Sequence, residues 1–136
     1  MNRIGKLCAG IITVVVLAMA GPAAEQPVVE VEFGETGLQS LTAGGTDYLD
    51  DGRLKVTGAF LRRPDGRVYA ADLNGAERSI DREARRVSLV FPWGRVETTY
   101  EAGAERLNLD VSVTNNRQHD VLVGLYVSPL RLKFPR

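Results

Sequence analysis

The chain is short of the side chains that carry covalent and metal chemistry. It has a single cysteine, Cys8, and a single histidine, His119. Cys8 falls in an apolar N-terminal stretch, so the remainder of the chain has no thiol. This excludes a disulfide framework, a cysteine nucleophile and a zinc site built from several Cys and His ligands. The serines, at positions 40, 79, 88, 112 and 128, are not framed by the Gly-x-Ser-x-Gly turn of a hydrolase nucleophile. His119 stands in a polar loop between Gln118 and Asp120 and reads as a solvated loop residue. No cofactor and no metal site is expected, and the sequence predicts no intrinsic enzymatic activity.

Excess charge is missing too. Seventeen basic residues balance seventeen acidic ones. Nucleic acids and anionic membranes are recognised through clustered positive charge, so neither is an expected partner. Long apolar runs are limited to one, Leu7 to Ala20, shorter than the roughly 20 residues of a spanning helix.

That run follows the basic residues Arg3 and Lys6 and ends in Ala18-Met19-Ala20. A basic start, a short apolar centre and small residues at −3 and −1 define a secretory signal. Cleavage after Ala20 is preferred, with Ala24 as the alternative end, and the signal would be helical. A lipobox before Cys8 is excluded by Lys6. The reading is a signal peptide over residues 1–20 and a domain over 25–136, secreted or periplasmic, without a stable membrane anchor after cleavage. Removal of Arg3 and Lys6 turns the balanced charge slightly acidic.

What the chain does have is β pattern. Val29, Val31 and Phe33 alternate with Glu30 and Glu32. Short strand patterns follow over Leu38–Thr42, Thr46–Leu49, Leu54–Arg63, Arg67–Leu73 and Glu77–Ile80. Between them stand Gly34-Glu35-Thr36-Gly37, Ala43-Gly44-Gly45, Asp51-Gly52, Pro64-Asp65-Gly66 and Asn74-Gly75, which favour turns. The charge run Asp81–Arg86 is a solvated connector, too short for a helix that stands alone. The most regular stretch comes next, with strands over Arg86–Phe91, Arg95–Glu101 and Arg106–Asn115. In the last, Leu107, Leu109, Val111 and Val113 alternate with Asn108, Asp110, Ser112 and Thr114, one apolar face and one wet face. Inward positions are odd up to Phe91 and even from Val96, so Pro92-Trp93-Gly94 must hold a phase shift. Val121–Val127 and Leu130–Phe134 complete the pattern. Turn signals at short intervals with no amphipathic helix predict an all-β antiparallel sandwich of about ten strands.

Candidate binding residues are aromatic. Tyr48 and Trp93 are the two rings that could stack on a sugar, Trp93 because a Pro-Trp-Gly corner either exposes the ring or tucks it under the sheet. Tyr100 and Tyr126 read as core residues with wet hydroxyl ends. Asp47-Tyr48-Leu49-Asp50-Asp51-Gly52 superficially matches a calcium loop, but Leu49 and Gly58 occupy positions that must donate oxygen. Its aspartates read as turn formers.

Gly37-Leu38-Gln39-Ser40-Leu41, continuing through Gly45 to Leu49, resembles the opening hairpin of galactose-mutarotase-like β-supersandwiches. Tyr100 followed by the L-x-L-x-V-x-V-x-N run from Leu107 to Asn115 is similar to a later strand of the same family. The resemblance implies a supersandwich portion, of the kind found in exported carbohydrate-active proteins. The family's epimerases use histidines and a carboxylate in later strands; nothing after Asn116 matches them, so no catalytic residue carries over. The implied role is a non-catalytic, carbohydrate-associated domain whose partner is a glycan. Val111–Asn116 also resembles a strand of immunoglobulin-like adhesion modules, which implies an envelope-protein partner instead. The N-terminal fragment of an epimerase-like or glycoside-processing enzyme is a third reading.

Leu130, Leu132 and Phe134 alternate with Arg131 and Lys133 immediately before the sequence stops. This predicts a half-buried edge strand awaiting a missing segment or a partner, and a domain incomplete at its C-terminus.

Overall fold

The computed structural model describes residues 12–14 and 28–134. Every regular element among them is a strand. In chain order these are β1 (Ile12–Val14), β2 (Val29–Gly34), β3 (Gly37–Ala43), β4 (Thr46–Asp47), β5 (Leu49–Asp51), β6 (Lys55–Arg62), β7 (Val68–Ala70), β8 (Glu77–Asp81), β9 (Arg86–Phe91), β10 (Gly94–Ala102), β11 (Leu107–Asn115), β12 (Val121–Ser128) and β13 (Arg131–Leu132). All pairings are antiparallel. The all-β antiparallel expectation holds, with thirteen strands among the described residues where the pattern suggested about ten.

The predicted meander forms the largest sheet, ordered β1-β11-β10-β9-β8. Leu107, Leu109, Val111 and Val113 are buried, whereas Asp110 and Ser112 are exposed. Val96, Thr98 and Tyr100 join them from β10, and Val87, Leu89 and Phe91 from β9. The phase shift sits where the sequence put it, because Gly94 pairs with both Phe91 and Asn115 across a tight Pro92-Trp93 turn. A Cβ on Gly94 would come within 2.1 Å of the Thr114 carbonyl oxygen, so no larger residue lets the two strands approach there.

Three smaller sheets close over this face: β2-β3-β4, β12-β6-β7 and β13-β5. Their inward residues, including Val29, Leu38, Leu41, Leu49, Ala59 and Leu61, merge with those of the large sheet into one apolar cluster. The ring of Phe33 meets that of Tyr100 at 5.6 Å, and the Val29 amide donates to the Ala104 carbonyl at 2.9 Å, which fixes β2 against the β10–β11 hairpin.

Four local expectations change. Tyr126 is 63% exposed, not a core residue. The register of β12 against β6 slips between Leu122 and Gly124, a bulge that puts Leu122 and Leu125 on the same side and turns Tyr126 outward. The Thr46–Leu49 strand divides at Tyr48, because the Asp47 carboxylate accepts the Leu49 amide at 3.0 Å and bends the chain. The last strand shrinks to Arg131–Leu132 and pairs with β5, leaving Phe134 beyond it and 74% exposed. Of the stretch read as a secretory signal, only Ile12–Val14 is described. It is β1, a strand in register with Leu107–Leu109, rather than helix. The rest of that stretch, including the cleavage sites at Ala20 and Ala24, lies outside the described residues.

Candidate functional site

Asp51-Gly52, which reads as a simple turn, is the floor of a cleft. Gly52 is buried, and a Cβ there would lie 2.1 Å from the Leu38 carbonyl oxygen. Only glycine lets the chain leaving β5 press this closely on β3. The resulting open cleft has a volume of about 620 Å³. Thr36, Leu38 and Gln39 form one wall, Leu49 to Arg53 the other, and Arg131 of β13 closes the end.

Its polar groups are held in place by one another. Asp50 Oδ2 lies 2.8 Å from Arg131 Nε. The Asp51 carboxylate accepts the Arg53 amide at 2.9 Å and is paired with the Lys55 ammonium. The Lys55 hydrogen bond, with the Arg53 amide second, holds that carboxyl below its ordinary pKa. Thus Asp51 is anionic at neutral pH while its oxygens are already engaged. No side chain carboxylate meets the Arg53 guanidinium among the described residues, so this cation faces the cleft uncommitted.

Tyr48 directly precedes the second wall. It is half-buried, its ring packing edge-on against Phe134 at 6.4 Å. Asp47 and Lys133 flank this pair and bridge at 2.9 Å, and the Lys133 amide donates to the Tyr48 carbonyl. The Leu49 amide, then Lys133, lower the pKa of Asp47. Each aspartate of Asp47–Gly52 therefore meets a basic side chain, and Asp47 and Asp51 also cap local turns. No cluster of three or more His, Cys, Asp or Glu side chains comes together among the described residues.

Trp93 is elsewhere. Its indole is 1% exposed and stacks on Phe91, with ring centroids 5.3 Å apart and planes 14° apart. The corner tucks the ring under the sheet, so Trp93 offers no face to a sugar in this conformation, and the structure does not bring it together with Tyr48. His119 is exposed in its loop. Its neighbour Asp120 accepts the Tyr69 hydroxyl at 2.5 Å, and this raises the pKa of that phenol.

Sequence reasoning missed Arg53, Arg131 and Phe134. Arg131 and Phe134 reach the site only through the β13–β5 pairing, which joins segments some 80 positions apart in the chain. No periodicity signals such a pairing. Comparison of the chain with protein-family models, with curated proteins and with solved structures finds no match in any of the three.

Proposed function

We propose that the chain is a non-catalytic, carbohydrate-associated β-sandwich domain of an exported protein, related in architecture to the mutarotase-like supersandwiches that its motifs resemble. The observation that supports this reading is the polar cleft of Thr36, Gln39, Asp50, Arg53 and Arg131, whose lining residue Leu49 follows Tyr48 in the chain, with the Tyr48 ring packed edge-on against Phe134. Sugar recognition combines an aromatic face for the apolar side of a pyranose with planar amide, carboxylate and guanidinium groups for its hydroxyls. Tyr48 is the stacking ring of this proposal, with Phe134 as its support. Trp93 takes part only through the core beneath.

The test is a glycan array with the wild-type chain and with Tyr48→Ala, Gln39→Ala and Arg53→Ala. Glycan binding lost in these variants, with the melting temperature of the fold retained, supports the reading. Binding unaffected by all three removes the cleft from it. A silent array together with specific capture of an envelope protein favours the adhesion-module alternative.

A further inference from the structure

We infer that the cleft selects an acidic saccharide, one whose carboxylate is received by the guanidinium of Arg53. This rests on the carbohydrate reading of the cleft and adds the chemical class of the sugar. It follows from which charges there are already matched and which are not.

Four charged residues line the cleft: Asp50, Asp51, Arg53 and Arg131. Asp50 is bridged by Arg131 at 2.8 Å, and Asp51 is paired with Lys55. Asp51 also accepts the Arg53 amide, which ties the Arg53 backbone to the turn and leaves its side chain untied. Among the described residues, no carboxylate pairs with the Arg53 guanidinium. The other wall has a similar surplus. Arg78 of β8 donates to the Thr36 carbonyl at 2.6 Å, and it too pairs with no carboxylate among the described residues. Glu35, next to Thr36 in the chain, is met by Arg82 at 3.9 Å. Both carboxylates of the cleft are therefore matched, and positive charge is left over. An anion is drawn to such a field, whereas a cation would have to displace Arg131 or Lys55 from the aspartates.

The neutral groups decide what carries the anion. The Gln39 amide lies over Gly34, where a Cβ would come within 2.5 Å of its Oε1, and its Nε2 reaches Thr36 Oγ1 at 3.4 Å. An amide and a hydroxyl side by side offer both donors and acceptors, which suits sugar hydroxyls. An inorganic anion would leave the acceptors unmatched. A uronate carries both features on one ring, a carboxylate at one position and hydroxyls at others. Arginine suits the first, because its planar guanidinium donates two parallel hydrogen bonds to a carboxylate where lysine offers a point charge. The cleft volume of about 620 Å³ lies within the range of small-molecule sites.

The experiment is isothermal titration calorimetry with oligogalacturonates and alginate oligosaccharides, each alongside its carboxyl-reduced counterpart, and with acetate. The proteins are the wild-type chain, Arg53→Gln, Arg53→Lys and the control Arg67→Gln, a cation of the β6–β7 loop outside the cleft. Arg53 and Arg67 are both exposed, so each variant is expected to keep the wild-type circular dichroism and melting profile. The expected result is an acidic oligosaccharide bound roughly tenfold or more tightly than its neutral counterpart. That preference should vanish in Arg53→Gln, shrink in Arg53→Lys, persist in Arg67→Gln and weaken with added salt. Equal binding of acidic and neutral forms, or a preference that survives Arg53→Gln, overturns the inference and leaves the carbohydrate reading standing. Acetate bound as tightly as the oligosaccharides overturns it as well, since the cleft would then recognise the charge alone. Binding of no saccharide, acidic or neutral, overturns the inference and the carbohydrate reading together.

Discussion

The Tyr100 hydroxyl donates a 2.7 Å hydrogen bond to the carbonyl oxygen of Pro129, tying the middle of the largest sheet to the link between β12 and β13. The bond draws Pro129, and with it Arg131 two residues on, toward the sheet. Tyr100→Phe leaves a partly buried carbonyl without its partner, and should cost about 1–3 kcal/mol in denaturant melts. Cleft variants such as Gln39→Ala should leave stability within about 0.5 kcal/mol.

Alkaline pH should act through the same residue. Burial pushes the Tyr100 phenol up to about 12, from an ordinary value of 10.0. A folded-state pKa above the unfolded one means that the unfolded chain loses the proton first. The associated stability is complete below pH 10 and is lost as pH rises towards 12, about 2–3 kcal/mol in all. Tyr69, whose pKa is raised by its bond to Asp120, acts in the same direction. Chemical denaturation at a series of pH values checks this, and Tyr100→Phe should flatten the decline.

Two adjacent residues of β11 should respond in opposite ways to truncation. Leu109 is fully buried and Asp110 is exposed. Leu109→Ala should cost about 2–5 kcal/mol, and Asp110→Ala close to nothing. Equal losses would contradict the alternation on which the sheet is built.

Thr98 sits in the core, and among the described residues its hydroxyl meets no hydrogen-bond partner. Replacing a buried, unsatisfied hydroxyl with a methyl group of similar shape removes a desolvation penalty. Thr98→Val should therefore stabilise the protein by about 1 kcal/mol, seen as a raised melting temperature. A clear loss would instead show that the hydroxyl has a hydrogen-bond partner in solution.

Gly52→Ala tests how the cleft is made. The added methyl would meet the Leu38 carbonyl oxygen, a backbone atom that cannot swing aside. The variant should lose roughly 1–3 kcal/mol, with amide shifts in an NMR spectrum concentrated at residues 36–39 and 49–53.

The carboxyls of Asp47 and Asp51 should titrate below the ordinary value of 3.8 in side-chain NMR. Their depressed pKa values make the associated turns and ion pairs firm above the unfolded-state value and loosen them as pH falls through the folded one. Lys133→Met and Lys55→Met should move the respective midpoints up.

The meander was legible because its information is local. Leu107 to Val113 alternate without interruption, and the odd-to-even change around Trp93 required a corner. Tyr126 was misjudged because a bulge leaves no mark in a pattern of mostly apolar residues: Val121, Val123 and Leu125 look alike whichever way they point. The cleft was hidden for a different reason. Asp51 belongs to β5 and lies opposite Arg131, a pairing set by how the chain closes in space. Only Tyr48 and the turn-forming aspartates could be found in advance, because their chemistry is contained in neighbouring residues.

The stacking of Trp93 on Phe91 also has an optical consequence. Trp93 is the one indole in the chain, and it is shielded from water. Its fluorescence should be emitted at short wavelength, resist quenching by iodide, and shift to the red only when the Pro92-Trp93 corner opens. The signal is therefore a built-in gauge of whether β9 and β10 are joined. It should stay silent when a ligand settles beside Tyr48, so a saccharide that changes this emission has reached the protein's interior.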